Sequence, residues 1–158
     1  VTPSDRKLFS KYSIIPSVQP THATSDMRWA SNRLCNSRLS GAYSYKSLLA
    51  LNGWLPLGTD FPVEDIAPLN TFFAAVYRQD AKNNPVGGFL LEEALTASEA
   101  LLGMTYWAAK GNKMEELVGS LEKGKQADYI ILNKDITADK YMLNTSILAT
   151  YIDAKKVK

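Results

Sequence analysis

Apolar positions come in short runs parted by polar, turn-forming stretches, and the spacing within the runs alternates between helical and strand-like. Ser4 to Ser10 reads as the last turns of a short helix. Ser13 to Val18 (SIIPSV) is compact and β-branched, as a buried strand is. The polar run Gln19 to Asp26 follows, and Met27 to Leu39 mixes Trp29, Leu34 and Leu39 with arginines and asparagines, which suits a loop with a short helix. Ala42 to Asn52 (AYSYKSLLALN) has helical spacing, and Gly53 stands where a left-handed residue commonly ends a helix. A strand is expected next at Trp54 to Gly58 (WLPLG), with Pro56 tolerated only if its missing donor falls at an end or a bulge.

The second half repeats the alternation. Pro68 to Asp80 (PLNTFFAAVYRQD) predicts a helix with Pro68 in its first turn, followed by the turn-rich linker Lys82 to Gly88. Thr96 to Lys110 is the clearest helix, because Thr96 and Glu99 have capping-box spacing and Ala100, Leu101, Met104, Trp107 and Ala108 recur on one face. At Gly119 the register changes. Two glycine turns lead into Ala127 to Leu132, and Ile147 to Ile152 offers a second strand, so the tail predicts a separate small sheet. No repeat of solenoid period is present.

With 158 residues and 46% hydrophobic content, the chain can bury one ordinary core. A net charge of +2 with both signs interspersed lacks the footprint that nucleic acid or an anionic membrane surface demands, so neither is expected as a partner. The lone Cys35 permits no internal disulfide. No run approaches the roughly 18 apolar residues of a membrane span. The chain starts at Val1 rather than Met, and the expectation is a piece of a longer protein. Its compartment stays open, with the cytoplasm as the default.

Asp60 is the leading candidate for chemistry, since a carboxylate at the C-terminal end of a parallel α/β strand sits where such folds bind ligands. Spacing alone reads it equally as a cap on the turn before Phe61-Pro62. His22, the only histidine, has the same position relative to its own strand; a single histidine in a polar loop also reads as a surface residue. The two would share one end of the molecule if the strands are parallel. Glu64, Asp26 and Arg78 read as exposed charges or ion-pair partners that could support the site. One histidine is too few for a zinc site built with one aspartate. A nucleophile made of Cys35 with His22, and a non-catalytic small α/β binding or scaffold module, are the rival readings.

Five segments in order, IIPSVQPTHATSDMRWA, GAYSYKSLL, LGTDFPVE, FFAAVYRQD and GSLEKGKQADYIILNKDI, resemble the amidohydrolase superfamily. They are most similar to its branch of metal-dependent hydrolases that includes N-substituted formamide deformylases. The resemblance spans the chain from Val1 to Lys158. It implies an α/β fold: the C-terminal fragment of a TIM (β/α)8 barrel, about its last two strands with their helices, plus strands of the small β-sandwich domain. Residues 1–118 would be the barrel part and 119–158 the β part. Ser13 to Val18 would be barrel strand 7 and Trp54 to Gly58 strand 8.

By the same resemblance Asp60 is the aspartate after strand 8, which binds metal and takes the proton from the attacking water, and His22 falls where family members shape the substrate pocket. The implied activity is hydrolysis of carbon–nitrogen bonds other than peptide bonds in a small-molecule amide or related substrate. The implied cofactor is a divalent metal, zinc by expectation, in the full-length parent. The remaining ligands would lie on strands that a chain of this length does not carry, because such a barrel needs about 250 residues. The fragment alone is therefore expected to hold no metal tightly, to be inactive and to self-associate through open strand edges. One local departure is the last hairpin, where Asp153, Ala154 and Lys155 replace the usual glycine turn.

Overall fold

The architecture comes from a computed structural model, which describes residues 1–138 and 144–158. It is mixed α/β. Among the described residues six α-helices run in order: α1 (Lys7–Tyr12), α2 (Pro20–Leu39), α3 (Tyr45–Asn52), α4 (Pro68–Tyr77), α5 (Ala97–Met104) and α6 (Tyr106–Gly111). A short 3-10 turn, Leu91–Glu93, precedes α5. Three strands close the chain, β1 (Tyr129–Leu132), β2 (Ile147–Ile152) and β3 (Lys155–Lys156), in an antiparallel sheet of order β1-β2-β3. Among the described residues no helix is long and apolar enough to cross a membrane.

The core is assembled by α2 to α5 around Leu55 and Leu57. Leu48 and Leu49 of α3, Phe72, Phe73 and Ala75 of α4, Ala100 of α5 and Ala23 of α2 all bury against them. Each large side chain removed from water stabilises the fold by about 1.5–3 kcal/mol. The expected strand at Trp54 to Gly58 forms no ladder; it is an extended segment threaded between two neighbours. On one side the Val18 N–H donates to the Pro56 carbonyl at 3.1 Å and the Gly58 N–H to the Val18 carbonyl at 3.0 Å. On the other the Leu57 N–H donates to the Gly103 carbonyl at 2.9 Å. Pro56 fits because it contributes only its acceptor. Gly103 allows the approach: a Cβ there would stand 3.0 Å from the Leu55 carbonyl oxygen and 2.6 Å from Leu57 Cγ.

Val18 and Leu57 thus form a single parallel bridge, and it is all that remains of the two expected strands. The reason lies in the segments themselves. Each holds a proline near its middle, Pro16 and Pro56, which removes a ladder donor. Ile14 and Ser17 meanwhile spend their N–H groups on the nearby carbonyls of Phe9 and Ile15.

Two further expectations change. The polar stretch after Val18 is not a loop: α2 starts at Pro20, whose fixed φ and missing donor suit the first helical position, and continues to Leu39 with a break at Cys35 (φ 57°, ψ 157°). The helix expected from Thr96 to Lys110 is two helices, interrupted at Thr105 (φ −122°, ψ −92°), whose hydroxyl donates to the Leu101 carbonyl. In the predicted stripe Ala100 is buried and Leu101 is exposed, while Gly103 and Ala109 are buried instead.

The tail follows its sequence closely. Gly119 (φ +92°) docks on α6, where a Cβ would meet that of Ala109 at 2.6 Å. Lys125 reaches back to the Ser120 hydroxyl at 2.6 Å and the Glu122 carboxylate at 3.1 Å and lies over the Tyr106 ring. Asp128 accepts the Asp153 N–H at 2.7 Å, so the glycine-rich segment and the last hairpin are tied to each other. Tyr129 and Tyr151, directly opposite in register, stack with ring centroids 4.5 Å apart.

Candidate functional site

Because the bridge is parallel, the chain leaves Val18 and Leu57 in the same direction and at the same end. From Val18 it turns into the first turn of α2, which carries His22. From Leu57 it enters the loop Thr59 to Asp65, which carries Asp60. His22 Nε2 and Asp60 Oδ2 are 3.5 Å apart, with 27% and 49% of the two side chains exposed. The contact is one of charge and proximity, longer than a well-formed N–H···O bond, and the His22 Nε2 atom is buried without a hydrogen-bond partner.

Asp60 has φ 57°, a left-handed conformation that aspartate tolerates better than most residues. Its backbone carbonyl closes the turn, accepting from the Val63 N–H at 2.8 Å and the Glu64 N–H at 3.4 Å. The carboxylate caps no N–H of that loop and is left facing the imidazole. The turn is therefore closed without the side chain, which remains available for another task.

A cleft of about 310 Å³ is lined by residues that include Thr24, Ser25, Arg28, Glu64, Asn70 and Phe73; it borders the pair through Ser25 and Glu64, while His22 and Asp60 themselves are not among its lining residues. Ser25 donates to Glu64 Oε1 at 2.6 Å, joining α2 to the Asp60 loop. Asp26 accepts the Tyr43 hydroxyl at 2.7 Å. Burial first, and then this hydrogen bond to a carboxylate, push the Tyr43 phenol well above its ordinary pKa. Tyr45 is pushed up to about 12, chiefly by burial, against the lowering influence of Arg78.

Arg78 is not the exposed charge that its sequence position suggests. It is 0% exposed, its Nε donates to the Phe89 carbonyl at 2.9 Å, and its guanidinium lies 4.8 Å from the Tyr45 ring centroid. Gln79 and Asp80 continue this structural role by bonding the backbone of the following loop. Gln79 and Asp80 thus form part of one wall of the cleft, with the buried Arg78 next to them in the chain. The partners of Arg78, Tyr45 and Phe89, lie beyond the reach of a local pattern, so its burial had no local signal. Cys35 is exposed and lies thirteen positions beyond His22 on α2, roughly 20 Å at 1.5 Å per residue, which separates the two members of the thiol reading.

A metal can be tested against the donors present. Among the described residues no three His, Cys, Asp or Glu side chains gather as a cation would require. Asp60 and His22 offer one carboxylate and one imidazole, short of the four donors that zinc takes. The described residues do not by themselves make a metal centre.

A family model described as "Amidohydrolase family" matches residues 1–155. Protein LONG AFTER FAR-RED 3 of Arabidopsis thaliana is 32% identical over 160 residues, covering 99% of this chain and 27% of that protein. N-substituted formamide deformylase of Arthrobacter pascens is 28% identical over 113 residues, covering 70% of this chain and 20% of the enzyme. Among solved structures, a metal-dependent hydrolase from Pyrococcus horikoshii OT3 superposes with TM-score 0.78 at 30% identity, over 89% of this chain and 28% of that one. Escherichia coli guanine deaminase, at TM-score 0.64 and 20% identity over 100% of this chain and 36% of that one, shares the fold. The chain spans about a quarter of the length of the curated relatives it matches.

Proposed function

Since the chain belongs to the amidohydrolase family, we propose that it is the C-terminal part of a metal-dependent hydrolase acting on carbon–nitrogen bonds other than peptide bonds in small-molecule amides or related compounds. Residues 1–118 end a (β/α)8 barrel, with Ser13 to Val18 and Trp54 to Gly58 as its last two strands, and residues 119–158 belong to a small β domain. The observation that carries the reading is the meeting of His22 and Asp60, 3.5 Å apart, at the C-terminal end of a parallel bridge. Ligands in open α/β folds and barrels bind at that end.

In this reading Asp60 is both a metal ligand and the base that takes a proton from the attacking water, and it returns that proton to the leaving nitrogen. Its carboxylate is spared from capping, so it is free for proton transfer. His22 stands beside that carboxylate and helps shape the substrate pocket. The cofactor is a divalent metal, zinc by choice, whose other ligands come from the rest of the parent; bound there, it would polarise the scissile bond. Without them this chain holds metal weakly and is inactive. Ile14 and Ile15, exposed beside the bridge, and Ile130, Leu148 and Ile152, exposed on the sheet, make self-association of the isolated chain the expected behaviour.

Asp60→Asn in the full-length parent tests the assignment. Hydrolysis is expected to fall about 10²–10⁴-fold, the usual contribution of a positioned acid–base group, with melting unchanged. Full activity with a lowered melting temperature would instead make Asp60 a structural turn residue and support a binding or scaffold module.

A further inference from the structure

We propose that Ser25 and Glu64 form a positioning pair that fixes where the Asp60 carboxylate stands against His22. The proposal rests on the reading of Asp60 and His22 as site residues and adds to it the element that holds them together. Two stretches of chain, Val18 to Ser25 and Leu57 to Glu64, run side by side in the same direction. They are joined at three points. Val18 and Leu57 form the backbone bridge, His22 and Asp60 make the 3.5 Å contact, and Ser25 donates to Glu64 Oε1 at 2.6 Å.

The middle contact is loose, and the two outer ones are hydrogen bonded. On α2, Ser25 lies three residues beyond His22, one turn along the same face, and its hydroxyl also reaches the His22 carbonyl at 3.4 Å. On the loop, Glu64 lies at the far end of the turn that Asp60 opens, with its N–H on the Asp60 carbonyl at 3.4 Å. Asp60 is therefore held from before by the bridge and from beyond by Glu64. A residue at φ 57° keeps that conformation only where its surroundings enforce it, and the Ser25–Glu64 bond supplies the enforcement on the open side. The same two side chains line the cleft, so the pair also sets the distance between the cleft walls.

His22 is the only histidine in the chain, so its imidazole gives one assignable set of NMR resonances in the labelled 158-residue protein, without need of metal or activity. Asp60→Asn calibrates the signal by removing the charge that faces the ring. Ser25→Ala and Glu64→Ala are each expected to move the imidazole resonances by at least half of that displacement. Ser25→Thr and Glu64→Gln, which keep the hydroxyl donor and an acceptor oxygen, should restore the wild-type position. Melting temperatures are expected to stay within the roughly 2–4 °C that a small local change produces in a chain of this size. If Asp60→Asn moves the ring while both alanine variants leave it in place, the positioning pair is refuted and the site reading stands. Should Asp60→Asn leave the ring unmoved, the His22–Asp60 contact fails and takes the pair with it. Movement that glutamine and threonine do not reverse would also overturn the pair, since a hydrogen bond would then not be its cause.

Discussion

The terminal sheet and the two segments Ser13–Val18 and Trp54–Gly58 are built from similarly apolar runs, yet one forms a ladder and the other a single bridge. In the sheet β2 pairs with β1 through four register partners and with β3 through two, and none of the paired residues is a proline. The other two segments each carry a central proline. Their one meeting point, Val18 with Leu57, is brought together over 39 residues by packing on Leu55, Phe72 and Phe73 rather than by a turn. Apolar sequence makes a strand only where the neighbouring backbone can return its hydrogen bonds. The sheet carries its own partners, while the bridge that sets the candidate site depends on the core behind it.

That dependence can be broken on one side alone. Leu55 is 0% exposed and packs where α3, α4 and α5 converge. Leu55→Ala should cost about 2–5 kcal/mol, as truncations of buried leucines do. Hydrogen exchange is the informative measurement. The amides of Val18, Leu57 and Gly58 should lose protection well before those of Thr150 and Val157 in the sheet. Equal loss in both places would mean that the sheet also leans on the core.

The contrast explains what could be read from residue order. The helix start at Pro68 and the capping box of Thr96 with Glu99 were legible because each signal and its partner lie within a few residues, and the strand at Ile147–Ile152 because its own run is apolar and free of proline and glycine. Helix α2 was hidden. Its first two turns carry almost no apolar periodicity, and Pro20 was the one local sign of a start. The break at Thr105 comes two residues after Gly103 meets Leu55 and Leu57, a contact no local pattern contains. At the site, His22 and Asp60 were legible as residues at one end of neighbouring strands, conditional on a parallel pairing. Ser25, the buried Arg78 and the Tyr43–Asp26 bond were not, since each depends on a partner chosen by the tertiary register.

The clamp around the 54–58 segment also has a charge component, which sharpens the comparison at a smaller scale. Lys46 of α3 reaches Glu99 of α5, Nζ to Oε2 at 2.7 Å. Burial raises the Glu99 carboxyl, but hydrogen bonds from Lys46 and Thr96 outweigh it and hold the group below the usual carboxylate range. A carboxyl lowered in the folded state adds stability that is complete above its unfolded pKa and is lost as pH falls through the folded one. Glu99→Gln keeps a capping-box side chain and removes the charge. It should therefore melt lower than wild type at neutral pH, by about 0.5–1 kcal/mol, and the two should converge on acidification below the ordinary glutamate range. A constant difference at all pH values would trace the loss to packing rather than charge.

The smallest effect belongs to the sheet. Ile152 pairs with Lys155, so Asp153 and Ala154 alone make the turn, with φ 50° and 61°. Positive φ at both positions is what the tight hairpin turn matching strand twist requires, and glycine or asparagine usually fills it. Alanine pays about 1–2 kcal/mol in this region because its Cβ crowds the carbonyl. Glycine would remove that strain but bring more freedom to the unfolded chain, worth about 0.4–1 kcal/mol the other way. Ala154→Gly should thus gain roughly 0.5 kcal/mol net. The gain should appear as slower exchange at Thr150 and Val157, whose N–H groups bond across the hairpin, with no change at Val18 or Leu57. A stabilisation shared by the bridge would show that sheet and site form one cooperative unit, and the distinction between a self-sufficient ladder and a dependent one would have to be given up.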